Sequence, residues 1–473
     1  MTTSTNISQI KSLFQLQKNH APRLNKSSAD ERISKMKAIK SYISDPSNEK
    51  RLVDAIHSDL RRPVVEVLVG EVVTVLQEID FVSKNLKHWL KPKKVSTPLT
   101  LAGSSSYIYY ESKGSSLVIS PWNYPFQLAI TPLIYSIAAG NTTILKPSEY
   151  SVATSDFLQE MLDHLFDDSE VKVVQGGVEE SQALLGCPFD HMYFTGSTHV
   201  GKIVMKAAAE HLSSVTLELG GKSPCIVDET ADIKSSVNSI AWGKFFNTGQ
   251  TCIAPDYLLI HESKYNAFTD QLKSTIERRF NPSGKGIIHS EDLGRIISER
   301  HYVRAKSLLS DAIEKGATVI YGGDHADEER YVSPTLLTSV NDSMRVMNEE
   351  IFSPILPIIP YSNIGDIIKQ TSRLPKPLAL YIFSKHKNNI EEYLKNTTAG
   401  GTVINDTLIH YGNHNLPFGG VNHSGIGKSH GQYGLYAFMN ERAVMHQHLG
   451  TTKMLHQPYD EKTLKTVRLM SKF

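Results

Sequence analysis

The sequence predicts an α/β protein built around a doubly wound parallel sheet. Three observations carry that reading. From Ser116 onward short β-rich runs alternate with helical runs, the pattern that produces parallel strands joined by crossover helices. The 473 residues are 40% hydrophobic and 21% charged, enough to bury large cores in two or three domains. Several of the strands run straight into turns bearing glycine or polar residues, at the carboxyl ends where such a sheet opens its ligand crevice. A nucleotide is the leading ligand for that crevice.

Before the alternation begins, the chain reads as helical. Ser28-Ala29-Asp30-Glu31 fits a capping box, apolar residues follow at helical spacing through Ile43, and Asp45-Pro46 ends the run. A further helix is expected over 65–89. Both are read as packing surface without a chemical role. Residues 91–106, rich in Lys, Pro, Ser and Gly, read as an arm, and Tyr107-Ile108-Tyr109-Tyr110 as a strand. Strands are then predicted at 117–119, 142–145, 171–174, 191–194 and 215–217. Helices lie over 126–139, 152–165 and 200–211, with only a turn-rich stretch between 174 and 191. A second α/β region has strands near 257–260, 318–321 and 356–359 and a helix over 264–280.

Composition excludes several classes of function. With 50 basic and 49 acidic residues the formal charge is +1, which offers no field to nucleic acid. The Lys91-Pro92-Lys93-Lys94 run reads as a solvated connector. The cysteines, Cys187, Cys225 and Cys252, are too few and too scattered for a disulfide framework or a CxxC metal site, so no metal is expected and a reducing compartment is. The N-terminus lacks an apolar signal core, and no run of ~18 apolar residues occurs. A cytoplasmic protein is expected.

Within this frame a few stretches carry chemistry. Asn247-Thr248-Gly249-Gln250-Thr251-Cys252 ends a helix-forming run on a thiol, which suits a nucleophile's loop, although a lone cysteine also reads as a small buried hydrophobe. Ser120-Pro121-Trp122-Asn123-Tyr124-Pro125 bends tightly around one amide, Asn123, which is expensive to bury. Lys146-Pro147-Ser148-Glu149 sets an amine and a carboxylate beyond a strand end, where they could receive a ribose or form a surface ion pair. Thr195-Gly196-Ser197 opens a helix whose free N–H groups suit a pyrophosphate, without being the GxGxxG fingerprint. Glu218 ends a strand just before Gly220-Gly221, and only a fold could bring it to Cys252. Residues 417–427 carry four glycines, Gly419, Gly420, Gly425 and Gly427, and must bend sharply or approach another backbone.

Taken together, Pro121-Trp122-Asn123-Tyr124-Pro125, Lys146-Pro147-Ser148-Glu149, Phe194-Thr195-Gly196-Ser197, Leu217-Glu218-Leu219-Gly220-Gly221-Lys222, Gly249-Gln250-Thr251-Cys252, Glu349-Glu350-Ile351-Phe352 and Pro417-Phe418-Gly419-Gly420 resemble, in their order, the motifs of the aldehyde dehydrogenase superfamily. The resemblance covers nearly the whole chain. The run Ala254-Pro255-Asp256-Tyr257 and the compact length look like the class 3 branch of fatty and aromatic aldehyde dehydrogenases. It implies the aldehyde dehydrogenase fold: a Rossmann-like NAD(P)-binding domain (1–218, with an arm over 94–113), an α/β catalytic domain (219–440) and a small bridging sheet with a C-terminal tail (441–473).

The resemblance also implies roles. Cys252 would be the nucleophile, Glu218 the general base and Asn123 an oxyanion donor. Lys146 and Glu149 would hold the adenosine ribose, and Gly196, Ser197 and Gly201 the pyrophosphate end. Trp122, Leu219, Glu350 and Phe352 would complete the cofactor site. Glu149 favours NAD, since a 2′-phosphate would meet a carboxylate, while Lys146 leaves NADP open. The expected reaction is oxidation of an apolar aldehyde, medium or long aliphatic or aromatic, to the acid. Tyr110, Tyr124, Phe126, Trp242, Phe246 and Tyr411 could line an apolar tunnel for it. A homodimer is expected, built on strands near 107–111 and 442–446, with a tail too polar for a membrane anchor. The rival readings are a coenzyme-A-acylating enzyme and a silent binding relative. The sequence departs from the family at Ser353 and Asn422, where glycine is usual, which bears on loop shape and on the substrate entrance near His410 to His414.

Overall fold

The computed structural model describes residues 7–450, 453 and 455–470. Three helices open the chain: α1 (Ile7–Asn25), α2 (Ala29–Ile43) and α3 (Pro46–Leu60). Ser28 caps α2, accepting from the Glu31 N–H at 3.1 Å. Asp45 caps α3, accepting from the N–H groups of Ser47 and Asn48 at 2.9 and 3.2 Å. Asp45-Pro46 therefore ends one helix and starts the next, since proline suits the first helical position.

The helix expected over 65–89 is interrupted. It divides into α4 (Val64–Val67), a π turn (Leu68–Val72) and α5 (Val73–Trp89). The apolar faces of α2, α3 and α5 pack through Met36, Ile39, Leu52, Ile56 and Ile79 onto Leu133 and Ile134 of the helix that follows the first strand of the main sheet. The arm is structured as well. Its strands β1 (Lys93–Val95) and β2 (Ser104–Ser112) pair antiparallel, Lys94 opposite Tyr107. The other edge of β2 takes the strand Met439–Gln447, with Arg442 opposite Tyr109, which closes a three-stranded sheet.

The first large sheet is built from β3 (Ser115–Ile119), α6 (Gln127–Ala139), β4 (Thr142–Lys146), α7 (Val152–Leu165), β5 (Val171–Val173), α8 (Val178–Leu185), β6 (His191–Thr195), α9 (Thr198–His211) and β7 (Ser214–Glu218). The stretch read as turn-rich between 174 and 191 contains α8. Its start is hidden in the sequence because the N-cap is Gly177, whose N–H is held by the Glu180 carboxylate at 2.7 Å. Strands β7, β6, β3, β4 and β5 lie side by side in that order, all parallel. The chain runs from β3 outward to β5 and then crosses back to β6, so a crevice opens between β3 and β6 at their carboxyl ends. Asn123, Lys146, Gly196 and Glu218 all come from that edge.

The second sheet holds β8 (Pro224–Val227), α10 (Ile233–Phe245), β9 (Tyr257–His261), α11 (Tyr265–Phe280), α12 (Glu299–Glu314), β10 (Thr318–Tyr321), the small pair β11 (His325–Ala326) and β12 (Tyr331–Val332), β13 (Thr335–Thr338), β14 (Ile355–Tyr361), α13 (Ile364–Ser372), β15 (Ala379–Phe383), α14 (Lys387–Asn396) and β16 (Gly401–Ile404). Its order is β10-β13-β14-β9-β8-β15-β16, parallel except for β10, while β11 and β12 pair apart from it. The chain then returns to the first sheet. Strand β17 (Gly425–Ile426) lies antiparallel on β7, with Gly425 opposite Glu218, and α15 (Gly431–Ala437) leads into β18 (Met439–Gln447). Helix α16 (Glu461–Met470) ends the described chain. Among the described residues no helix is long and apolar enough to cross a membrane.

Candidate active site

Cys252 lies between α10 and β9, after a turn of unusual shape. Asn247, Thr248 and Gly249 are all left-handed, with φ of 50°, 56° and 75°, a conformation that non-glycine residues adopt at a cost in energy. At Gly249 a Cβ would stand 2.5 Å from the carbonyl oxygen of Ser353, so the close approach requires glycine. Gln250 locks the turn. Its Nε2 donates to the carbonyls of Asn247 and Arg295 at 3.1 and 3.0 Å, and its Oε1 accepts from the Ile297 N–H at 3.1 Å.

The turn presents the thiol to a cavity of about 410 Å³. Val69, Val73, Trp242, Phe246, Leu408 and Phe418 form its apolar wall. Tyr124 and Tyr411 also line it, as expected, but Tyr110 and Phe126 do not. Tyr110 stacks on Tyr436 at 4.3 Å, and Phe126 is buried in the helical core. Aromatic residues at such spacings serve either purpose, and only packing separates the two.

Glu218, the last residue of β7, opens into the same cavity. It is 5% exposed, and neither carboxylate oxygen has a hydrogen-bond partner among the described residues. Burial therefore pushes its pKa well up, opposed in part by the charge of Lys428. The Lys428 ammonium is tied to the carbonyls of Gly419 and Gly420 at 2.5 and 3.1 Å. Gly419 comes so near that a Cβ there would lie 2.9 Å from Glu218 Oε1, which explains the glycine at that position. Burial, with the nearby carboxylates of Glu350 and Glu218, lifts the Cys252 thiol to about 12, against the pull of the N–H groups of Cys252 and Ile253.

Asn123 does not line the cavity. Its Nδ2 donates to the carbonyl of Gln250 at 3.0 Å, two residues before the thiol, and its own carbonyl accepts from Asn247 Nδ2 at 2.8 Å. The bend and the thiol loop are thus fastened together.

The expected cofactor residues fall into three places. At the end of β4, Lys146 is 2% exposed and donates to the Pro147 carbonyl at 3.0 Å and to Glu149 at 3.5 Å. The ammonium is buried while the Glu149 carboxylate is exposed, so the pair is solvated at one end, and burial lowers the Lys146 pKa. At the end of β6, Gly196 donates to the Glu218 carbonyl at 3.0 Å, and Ser197 caps α9, accepting from the Val200 N–H at 3.3 Å. Gly201 packs on Leu219, where a Cβ would meet Cδ2 at 2.7 Å, and Leu219 reaches the cavity.

The third place is the 349–354 loop. Phe352 is left-handed, with φ of 51°, and its ring meets Trp122 edge to face at 5.4 Å. Burial raises Glu350 to about 8, and its Oε1 has no partner. A Cβ on Gly220 would stand 2.2 Å from that oxygen. Of the two departures, Asn422 adopts φ of 57°, which asparagine tolerates, and Ser353 is buried beside Gly249. Among the described residues no group of His, Cys, Asp and Glu side chains could hold a metal ion.

The sequence reading missed Arg62, Glu66, Glu71 and Lys428, and it was wrong to deny the early helices a part in the site. Val69, Gly70 and Val73 belong to the cavity wall, and Glu66 accepts from the Asn247 N–H at 2.8 Å. Charges four or five residues apart in a helical run normally read as a solvated face. The one signal was that Glu71 sits among valines.

A model described as the aldehyde dehydrogenase family matches residues 2–444. The 4,4'-diaponeurosporen-aldehyde dehydrogenase of Staphylococcus aureus is 43% identical over 436 residues, 92% of each chain. Aldehyde dehydrogenase family 3 member A2 of Pongo abelii is 41% identical over 430 residues, 90% of this chain and 87% of the relative. A solved structure described as the substrate-bound state of Staphylococcus aureus AldH superposes with a TM-score of 0.92 at 40% identity, covering 98% of this chain and 99% of the other.

Proposed function

The chain belongs to the aldehyde dehydrogenase family, and from that premise we propose that it oxidises an apolar aldehyde to the carboxylic acid through a thiohemiacetal and then a thioester on Cys252. One observation carries the reading: Cys252 and the partnerless carboxyl of Glu218 open into a single apolar-walled cavity. That wall supports medium or long aliphatic, or aromatic, aldehydes over charged ones.

A thiol held at about 12 is almost wholly protonated at neutral pH, so attack needs a base. Glu218 takes the thiol proton as sulfur bonds to the aldehyde carbon. Burial raises the affinity of the Glu218 carboxylate for a proton, which strengthens it as a base. The oxyanion that forms is received by the Cys252 N–H and, from behind the thiol loop, by the second N–H of the Asn123 amide, whose first is held by the Gln250 carbonyl. A bound NAD(P) would supply the acceptor for the hydride of the thiohemiacetal carbon, which turns that adduct on Cys252 into the thioester. Glu218 gives that first proton up to solvent, then removes one from the water that attacks the thioester; the acid leaves and the sulfur takes the second proton back as the thiol. A buried base facing the cavity supports water as the acyl acceptor over coenzyme A.

The residues present fit the dinucleotide. Ser197 caps the helix behind a bare Gly196, Lys146 and Glu149 offer a cation and an acceptor for a ribose, and the Glu350 carboxylate has an unpaired oxygen. Glu149 supports NAD over NADP. We assign cofactor binding to 1–218, the thiol to the domain 219–440, and the bridging strand with the tail to 441–473. The exposed outer edge of β18 supports pairing with a second copy, and free thiols support a cytoplasmic setting.

The test is formation of reduced nicotinamide with NAD or NADP over a panel of aldehydes, without coenzyme A. Turnover on apolar aldehydes is expected. No reduced cofactor on any aldehyde would overturn the reading, and preference for a charged semialdehyde would overturn the substrate class.

A further inference from the structure

The early helices reach the thiol loop through buried ions. Arg62, just after α3, has no exposed surface. Its Nη1 donates to Glu71 Oε1 at 2.7 Å and to the carbonyl of Asn123 at 3.4 Å. The other oxygen of Glu71 accepts from the Gln127 N–H at 2.7 Å, on the far side of the same bend. Glu66, 4.0 Å from Arg62 Nε, accepts from the N–H of left-handed Asn247. The guanidinium also lies over the Tyr124 ring, 4.2 Å from its centroid, and the Tyr124 hydroxyl meets Thr251 Oγ1 at 2.7 Å. One cation and two carboxylates therefore touch both segments that present the reacting groups.

The surrounding backbone is shaped to admit the cation. Gly70 sits in the π turn, and a Cβ there would be 2.6 Å from Arg62 Nη2, 3.1 Å from Tyr124 and 3.3 Å from Phe246. Nε and Nη2 find no hydrogen-bond acceptor, so the Tyr124 face takes that side of the guanidinium by cation–π attraction. Replacing a buried ion pair by apolar side chains is often neutral or stabilising. Stability alone gives little reason for this network, whereas placement of Asn123 does.

We propose that Arg62 is a positioning residue for the chemical step, holding the Asn123 carbonyl and the Tyr124 ring against the 247–252 turn so that the Asn123 amide meets the developing oxyanion. The proposal rests on the reading of Asn123 as an oxyanion donor. Arg62 touches neither aldehyde nor cofactor; it acts through Asn123.

The experiment is a double-mutant cycle on the full chain, reading the rate of the first turnover of reduced nicotinamide, the KM for aldehyde and the melting temperature. The variants are Asn123→Ala, the neutral pair Arg62→Met with Glu71→Gln, which removes the cation together with the carboxylate it donates to, their combination, and Arg62→Lys. Asn123→Ala should lose about 10²–10³ in rate. The neutral pair should lose about 10–100-fold with KM within about twofold, as a misplaced group does. Combined with Asn123→Ala it should cost no more than about threefold further, since residues acting as one unit are not additive. Arg62→Lys, which keeps a cation at this position, should recover most of the rate.

Full activity in the neutral pair, or losses that multiply in the combination, would overturn the proposal. Full activity in Asn123→Ala would remove the oxyanion reading itself, and the proposal with it. That outcome is told apart because Asn123→Ala alone reveals it.

Discussion

Asn123 Nδ2 donates to the carbonyl of Gln250 at 3.0 Å, tying the bend at the end of the central strand to the turn that carries Cys252. An amide has two N–H groups, so one can hold the turn while the other serves the oxyanion. Asn123→Ala should lower the first-turnover rate about 10²–10³-fold while the KM for aldehyde changes little. A stopped-flow burst measurement separates the two constants. A rate within about threefold of wild type, set against that expected loss, would deny Asn123 its role.

Glu350 should make the fold less stable as pH rises. Its ordinary value is 4.5, and burial raises it to about 8 in the folded chain. Below pH 4.5 both folded and unfolded chains hold the proton, and the buried carboxyl does no harm. Above that the unfolded chain ionises while the folded site resists, so stability falls until about pH 8, where the folded carboxyl ionises too. The melting temperature of Glu350→Gln should match wild type near pH 4.5 and rise above it, the gap levelling off past about pH 8. A gap that closes as pH rises would have the wrong sign.

Alkylation of Cys252 should be slow at neutral pH and quicken toward about 12, because burial first, then Glu350 and Glu218, disfavour the thiolate. Removing a neighbouring negative charge favours the anion. Glu350→Gln should therefore alkylate faster than wild type above about pH 8, where Glu350 is ionised, and no faster below it. Cys187 and Cys225 are buried and should not react. Iodoacetamide labelling followed by peptide mapping reads both points.

Cofactor choice should turn on Glu149, whose carboxylate lies 3.5 Å from the Lys146 ammonium. Glu149→Gln should lower kcat/KM with NAD and raise it with NADP, together shifting the ratio by about 10-fold or more, the scale of a lost charge repulsion of about 1.4 kcal/mol. Parallel titrations of the two cofactors give the ratio, and an unchanged ratio would place the discriminating group elsewhere.

The sheets were legible because buried parallel strands read as apolar runs, and because the residues at their carboxyl ends carry chemistry rather than packing. Glu218, Asn123 and Lys146 stood out at or beyond such strand ends, and Cys252 in the loop that ends a helix-forming run. The linkage between them was not. Arg62, Glu66 and Glu71 lie in a helical stretch where charges are usually solvated, and only tertiary packing turns Glu71 inward. The π turn at Leu68–Val72 left no mark either, since an extra residue in a helical turn is set by what the helix packs against. Helix α8 was missed because its N-cap is a glycine, which reads as a loop residue.

The central claim is that Cys252 carries the acyl group and Glu218 releases it. It is tested most directly by intact-mass spectrometry of Glu218→Gln after mixing with an apolar aldehyde and NAD. Because Glu218 serves both steps, the account predicts slow accumulation of an adduct that replaces the thiol proton by the acyl group, located on the Cys252 peptide, with one equivalent of reduced nicotinamide and no further turnover. An adduct on another residue, or steady turnover in Cys252→Ala, would contradict it.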